Sequence, residues 1–177
     1  MTEKTSPAED AEGALVREVY ARFGLAMYRL QVLEHGLVNA LLTLMLLPTA
    51  NSYKLGSDWE AAVDTFFDER FEKTFGNILR ELEKVDDFPQ ELLVRTRKSK
   101  EDRDFLAHRF FRTFAEQFLS ERGKLDMIAV CDEVSKTAHM LDADIESFLR
   151  PVQERYGLSQ EMIDAEVARF ERSKDVG

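Results

Sequence analysis

One segment of the sequence, residues 103–111, gathers the side chains that acid–base chemistry on a phosphate needs. It reads RDFLAHRFF and contains Arg103, Asp104 and His108. Histidine gains and loses a proton near neutral pH, and arginine is a permanent cation whose planar group suits phosphate. Asp104 and His108 lie four positions apart and share one helix face, so the carboxylate can orient the imidazole. Arg103 lies about 140° around the helix from His108, an offset that a long side chain can cover.

This combination suits the cleavage of RNA by the RNA's own 2′-hydroxyl group. A general base activates that hydroxyl, a cation stabilises the phosphate as it gains a fifth bond, and an acid protonates the leaving 5′-oxygen. The chemistry requires no metal ion. One histidine does not easily serve as both base and acid in one turnover, so a homodimer with a second His108 is predicted. The thirteen phenylalanines of the chain point the same way, because they offer more apolar surface than one small bundle buries.

The charge of the chain is unevenly distributed. The net charge is −10, which argues against nucleic-acid binding, but residues 95–112 carry a local net charge of +4. Basic runs are ordinarily solvated helix faces. This run surrounds the candidate histidine, however, and therefore predicts an anion site. The residues predicted to bind RNA are Arg95, Arg97, Lys98, Lys100, Arg109 and Arg112.

The arginine-to-histidine spacing alone is weak, since about 0.8 matches per chain arise by chance at this composition. A second match, from Arg29 to His35, is interpreted as such a coincidence because the apolar Leu30 follows the arginine. His35 and His139 are interpreted as core or surface histidines. The phenylalanines of the acidic segment 66–75 are interpreted as core, because platforms for stacking bases normally lie beside positive charge.

Helical periodicity dominates the sequence and predicts an all-α, up-and-down bundle of five to six helices with a long first helix. Residues 11–173 are predicted to form a single domain after a flexible acidic N-terminus at residues 1–10. The first helix is predicted over about 11–47 and ends at Pro48.

Capping and breaking residues predict the other helix ends. The second helix begins at a capping box of Ser57 and Glu60, and the third at an N-cap, Thr74. Three further helices are predicted: 89–119 with Pro89 as its first residue, 124–156 bent or broken at Pro151 and ended by Gly157, and 160–172 capped by Ser159.

The composition predicts a cytoplasmic protein without a cofactor. Cys131 is the only cysteine, which argues against disulfides and thiolate metal clusters. The acidic, polar start of the chain lacks the order of a signal peptide. The longest apolar run, 36–47, is short for a bilayer span, so no membrane association is expected. Neither a glycine-rich phosphate loop nor a repeated Glu-x-x-His ligand pattern is present, and no metal ion is expected.

The string RDFLAHRFF resembles the signature of the HEPN superfamily, an arginine followed after four to six residues by a histidine. A polar residue directly after the arginine, then Leu-Ala-His and two phenylalanines, is similar to the RN-x-LAH-x-FF form of its small bacterial members. The likeness in sequence covers roughly residues 95–118, and the helical order covers most of the chain. One position departs from the members that are neutralised by nucleotidylation, which carry a tyrosine where this chain has Phe110.

The resemblance implies a metal-independent endoribonuclease that dimerises so that two motifs face each other. It assigns catalysis to Arg103 and His108 and makes Asp104 their polar companion. It also implies a toxin–antitoxin or phage-defence setting, with a cognate antitoxin protein as a partner. The alternative is a non-catalytic helical dimer of the same fold that serves a regulatory or interaction role. Under that alternative His108 is buried and Arg103 pairs with Asp104 or Glu101.

Overall fold

The computed structural model describes residues 7–159, 161, 162 and 165, and within these residues it contains helices and no strands. The predicted all-α bundle with a long first helix is confirmed. Six α-helices follow one another in these residues: α1 Pro7–Leu41, α2 Gly56–Phe71, α3 Phe75–Leu82, α4 Gln90–His108, α5 Phe110–Thr113 and α6 Glu121–Arg155.

The two longest helices, α1 and α6, form the centre of the bundle and run parallel to each other. Three side-chain contacts, at Arg22 and Arg29 of α1 and at Thr43 just after it, each join residues 110 positions apart. A constant separation along both helices requires a parallel arrangement. Apolar residues recur at steps of three and four along both helices, the spacing that packs one helix continuously against another. The buried stripes are Val19, Ala26, Leu30, Leu33 and Leu37 on α1, and Met127, Cys131, Val134, Ala138, Leu141 and Ile145 on α6.

Helix α4 runs antiparallel to this pair. Arg103 of α4 lies beside Glu34 of α1, whereas Phe110, further along the chain, packs on Phe23, which is earlier in α1, with ring centroids 5.5 Å apart. The short α3 buries Phe75, Ile78, Leu79 and Leu82 in the same core. The bundle therefore holds the 103–111 segment against the middle and the C-terminal half of α1.

The first helix differs from its predicted range of 11–47 at both ends. It begins at Pro7, and its α-helical geometry ends at Leu41. Residues Leu42–Leu46 form a π-helical turn, closed by the N–H of Leu47 donating to the carbonyl of Leu42, and Leu47–Ser52 form a 3₁₀ turn. Pro48 lacks an N–H, so regular α-helical hydrogen bonding cannot continue through it. The chain therefore forms the wider π-helical turn before Pro48 and the tighter 3₁₀ turn around it.

Of three predicted helix starts, the one at Thr74 is confirmed, the one at Pro89 differs by one residue, and the one at Ser57 is wrong. Thr74 is the N-cap of α3. Pro89 is the N-cap of α4 and not its first residue. The capping box at Ser57 does not form: α2 begins at Gly56 with Leu55 as N-cap, and no side chain caps it.

Three predictions for the second half of the chain need correction or completion. The helix predicted over 89–119 ends at His108, because the backbone leaves helical geometry at Arg109 (φ −130°, ψ −21°). Pro151 lies inside α6 without breaking it. Gly157 ends that helix as predicted, with φ +81° and its N–H bonded to Glu154, while Leu158 N–H bonds to Gln153. The last helix, predicted over 160–172, lies largely outside the described residues.

The helical stretch Glu12–Ser52 is long and apolar enough to cross a membrane, a property that it shares with the core helices of soluble proteins. In the bundle, the apolar stripe of this stretch is covered mainly by α6.

Candidate functional site

His108 is the last residue of α4 and is exposed to solvent. Its neighbours in the motif explain this position: Leu106 and Phe110 are buried in the core, at 2% and 1% exposure, and His108 lies between them in the chain. The break at Arg109 follows at once and lets α5 turn Phe110 between Phe23 and Phe105. The apolar residues of the motif thus anchor the segment, and the histidine is presented outward.

Asp104 is on the same helix as His108, but its carboxylate has other partners. Its Oδ2 accepts a hydrogen bond from Lys100 Nζ at 2.6 Å, and its Oδ1 lies 3.5 Å from Arg103 Nη1. The hydrogen bond from Lys100, followed by the charges of Lys100 and Arg103, lowers the pKa of Asp104 below its ordinary value. The predicted hydrogen bond from His108 to Asp104 is not formed, because Lys100, one helical turn before Asp104, donates to this carboxylate instead.

Most of the predicted RNA-binding cations are already paired within the chain. Each of four is bonded to a carboxylate across less than 3 Å, so the positive charge of each is already opposed by a neighbouring negative charge. The pairs are Arg95 with Asp144 at 2.6 Å, Arg97 with Glu83 at 2.8 Å, Lys100 with Asp104 at 2.6 Å, and Lys98 with Asp102.

Arg109 and Arg112 differ from those four. Both are exposed, and neither forms an ion pair with any residue in the described part of the chain. The guanidinium of Arg109 lies 5.8 Å from the centroid of the Phe105 ring. Among the predicted RNA-binding cations, those that form no ion pair with a described residue, Arg109 and Arg112, therefore follow His108 directly.

Arg103 lines a cavity of about 470 Å³ between α1, the end of α2 and α4. Glu34 and His35 of α1 line the same cavity, and so do Arg70 and Phe71 of α2. Burial raises the pKa of the Glu34 carboxyl, and the charge of Arg103 partly offsets this effect. The cavity includes the motif arginine but not the motif histidine.

His35 was interpreted from the sequence as a core or helix-face histidine paired by coincidence with Arg29. It is exposed, and its ring lies 4.8 Å from that of Phe71. Arg29 instead contacts His139, with 3.4 Å between Nη1 and Nδ1. No sequence pattern connects His35 to Arg103, since only the packing of α4 on α1 brings them to one cavity.

Arg70 is the most deeply buried cation of this cavity, with 9% of its surface exposed. Its guanidinium carbon lies 3.4 Å over the ring of Phe66, and Nη1 donates to the Phe66 carbonyl at 3.2 Å. Nη2 lies 3.2 Å from Glu81, which also accepts from Lys73. The Nε atom is buried without a hydrogen-bond partner. A buried donor that lacks an acceptor is costly, so Arg70 is held in place at an energetic cost.

Within the described residues, no group of three or more His, Cys, Asp and Glu side chains is placed to hold a metal ion. No protein-family model matches the chain, and neither a curated protein nor a solved structure matches it. The chemistry of the residues therefore carries the functional argument.

Proposed function

We propose that this chain is a metal-independent endoribonuclease of the HEPN type, which cleaves RNA through attack by the 2′-hydroxyl group. The observation that carries the proposal is the presentation of His108 at the solvent-exposed end of α4, followed at once by Arg109 and Arg112, two cations that form no ion pair with any described residue. An exposed imidazole beside free positive charge has the properties that proton transfer next to a phosphate requires.

The proposed reaction divides its tasks among few groups. One histidine takes the proton of the 2′-hydroxyl as that oxygen attacks the neighbouring phosphorus. The bond from phosphorus to the 5′-oxygen breaks, and a second, protonated histidine gives its proton to that leaving oxygen. The products are a 2′,3′-cyclic phosphate and a free 5′-hydroxyl. An arginine stabilises the additional negative charge on the phosphate in the transition state.

A homodimer accounts for both histidines in this scheme. Arg103 and His108 are five residues apart on α4, about 7.5 Å along the helix axis, and Arg103 lies in a cavity that His108 does not line. A second copy supplies the second His108 and brings another arginine near it. We expect that copy to cover the Tyr20 face, defined as Tyr20, Phe111 and Phe118.

The Tyr20 face suits a second copy because its aromatic rings touch one another and remain open to solvent. The ring of Tyr20 lies 5.7 Å from Phe111 and 6.1 Å from Phe118. Tyr20 is 53% exposed and Phe111 is 39% exposed. Contiguous exposed aromatic surface is typical of protein interfaces. Phe111 follows His108 by three positions, so a symmetric contact here places two copies of the motif near each other.

A specific observation also favours the non-catalytic alternative, a helical dimer with a regulatory or interaction role. Asp104 is engaged by Lys100 and Arg103, and four of the six predicted RNA-binding cations are paired with carboxylates. The exposure of His108 is the point on which the two readings differ, and it favours the nuclease. The toxin–antitoxin or phage-defence setting, the antitoxin partner and the cytoplasmic location belong to the nuclease proposal.

The test is an RNA cleavage assay with EDTA present, comparing the wild type with His108→Ala, Arg103→Ala and the matched control His139→Ala. His139 is also exposed and lies on α6. We expect the wild type and His139→Ala to produce 2′,3′-cyclic phosphate ends. The two motif variants should be slower by about a hundredfold or more, the usual contribution of an acid–base or charge-stabilising group. Cleavage that survives both motif substitutions refutes the mechanism, and a wild type that neither binds nor cuts RNA leaves the regulatory alternative.

A further inference from the structure

The cavity shared by Arg103 and His35 is lined by three kinds of side chain: cations, aromatic rings and carboxylates. We infer that it binds one nucleoside monophosphate unit, either a free mononucleotide or a single residue of an RNA chain. The inference concerns binding and does not require that the protein cuts RNA, although Arg103 takes part in both proposals.

The cationic wall has unused capacity for a phosphate. Among the described residues, Arg103 makes one ion pair, to Asp104 at 3.5 Å, the outer limit of a hydrogen bond. Arg70 lines the same cavity; its Nη2 lies 3.2 Å from Glu81 and its Nη1 lies 3.6 Å from Glu69, while its Nε is buried without a partner. A phosphate in the cavity therefore meets the guanidinium of Arg103, whose one carboxylate contact is long, together with the positive charge of Arg70, and guanidinium groups bind phosphate in a directional way.

The N-terminus of α3 adds to this wall. Thr74, its N-cap, lines the cavity, and its side chain makes no capping hydrogen bond. The first backbone N–H groups of a helix lack partners within the helix and favour an anion nearby. The unused hydroxyl of Thr74 is available to donate to the same anion. Three independent features, Arg70, Arg103 and this helix start, thus favour negative charge in one place.

The aromatic wall suits a base. Phe71 is 49% exposed although it is a large apolar residue, and its ring lies 4.8 Å from the His35 ring. Behind it, Phe67 stacks almost parallel, with the centroids 5.4 Å apart and the planes 12° apart, and this contact fixes the orientation of Phe71. Exposed aromatic rings beside positive charge are the usual platform for nucleic-acid bases. The prediction that the phenylalanines of segment 66–75 are core is confirmed for Phe66 and Phe75 and is wrong for Phe71.

The carboxylates set the size and charge of the ligand. Glu34 and Glu72 line the cavity together with the cations Arg70, Lys73 and Arg103, and Arg70 and Lys73 also pair with Glu81. These carboxylates oppose a di- or triphosphate, whose further negative charges would lie near them. Carboxylate oxygens also accept hydrogen bonds from the ribose hydroxyls and from the amino groups of bases.

The experiment is calorimetric titration of the full-length protein with the four nucleoside 5′-monophosphates, their nucleosides, inorganic phosphate and a non-hydrolysable hexaribonucleotide carrying 2′-O-methyl groups. The variants are His35→Ala, Phe71→Ala and Arg103→Ala, with His139→Ala and Tyr156→Ala as controls. Tyr156 is a partly exposed aromatic residue that lines a different cavity. The substituted side chains of His35 and Phe71 are exposed, so folding should be retained, and thermal melts followed by circular dichroism check this.

We expect at least one monophosphate to bind about tenfold more tightly than its nucleoside, because charge-assisted bonds to the phosphate are lost in the nucleoside. His35→Ala and Phe71→Ala should each weaken binding by about tenfold, the usual effect of removing a stacking ring, while both controls leave it unchanged. If only the hexaribonucleotide binds, and Phe71→Ala weakens it, the ligand is a residue of RNA. If no nucleotide or oligonucleotide binds, or if folded His35→Ala and Phe71→Ala bind as the wild type does, the inference is overturned.

The same proteins separate this inference from the nuclease proposal. His108 does not line the cavity, so His108→Ala should bind the mononucleotide normally even if it no longer cuts RNA. Nucleotide binding by a wild type that cuts no RNA supports the cavity and refutes the nuclease. RNA cleavage by a wild type whose cavity binds no nucleotide supports the nuclease proposal and refutes the cavity inference.

Discussion

Gly36 of α1 and Asp142 of α6 lie so close that a Cβ atom at position 36 would overlap the Asp142 Oδ1 atom. The absence of a side chain at Gly36 therefore lets the Asp142 carboxylate lie against the backbone of α1. Burial there, with a smaller effect from the charge of Glu146, raises the pKa of Asp142 above its ordinary value. Ionisation of this carboxylate therefore lowers the free energy of unfolding of the protein.

Asp142→Asn should stabilise the protein at pH 7. The pKa of Asp142 is higher in the folded state, so ionisation costs folding free energy as the pH rises from the unfolded pKa through the folded pKa. Asparagine removes this cost, and the advantage of the variant should disappear below about pH 4, near the ordinary pKa of the group. Urea unfolding at pH 7 and at pH 3.5 measures the difference.

Asp144→Asn is the matched control for this prediction. Asp144 bonds to Arg95 at 2.6 Å on the exposed side of the same helix. Its replacement should lower the free energy of unfolding at pH 7 by about 0.2–1 kcal/mol, the usual range for an exposed ion pair. Equal effects of the two substitutions at pH 7 would contradict the assignment of Asp142 as a half-buried, unfavourable charge.

Two glycine-to-alanine substitutions should change stability in opposite directions. Gly24 lies within α1 and has nothing within 4 Å of an added Cβ, so Gly24→Ala should stabilise by roughly 0.5–1 kcal/mol through backbone entropy. A Cβ at Gly123 would overlap the backbone of Gln117, which cannot move aside as a side-chain end can, and Gly123→Ala should cost about 1–3 kcal/mol. Thermal and urea unfolding test both, and the same sign for both contradicts the packing at the start of α6.

The thiol of Cys131 should be unreactive in the folded protein. Burial, with a smaller effect from the neighbouring charge of Asp132, raises its pKa to about 12, so almost no thiolate exists at pH 8. A thiol reagent such as dithionitrobenzoate should label the protein only in proportion to the unfolded fraction along a urea titration. Rapid labelling in the absence of urea, at the rate seen for the fully unfolded chain, would show that the packing of α6 against the core does not bury this residue.

Tyr20→Glu should convert the proposed dimer into a monomer. A charge placed in the centre of the Tyr20 face opposes its burial against a second copy. Sedimentation equilibrium should report about twice the 20.4 kDa chain mass for the wild type and the single mass for the variant. Met140→Glu is the control, since Met140 is 52% exposed on α6, away from the Tyr20 face. A wild type that is monomeric at micromolar concentration removes the support for a two-histidine site.

The helices whose ends depend on local sequence could be predicted well. Thr74 and Gly157 mark real boundaries because an N-cap conformation and a positive φ are properties of one or two residues. The break at Arg109 could not be predicted, since residues 109–119 contain neither glycine nor proline. It follows from the insertion of Phe110 between rings of other elements, which is a tertiary effect.

The candidate site divides in the same way. The spacing of the motif placed Arg103 and His108 on one helix correctly, because helix geometry fixes that relation. The spacing from Arg103 to His108 does not reveal that Lys100 bonds to the carboxylate of Asp104, since Lys100 lies one helical turn before Asp104 and outside that spacing. The meeting of His35 with Arg103 depends on how α4 packs on α1, and residue spacing within one segment carries no information about that.

The parallel pairing of α1 with α6 has a consequence for biosynthesis. The apolar stripe of α1 is synthesised before its main partner, which follows it by about 110 positions in the chain. Until α6 has emerged, the nascent chain therefore carries a hydrophobic helix that lacks its main partner, a surface that chaperones bind. We expect the bundle to close only after α6 has been synthesised.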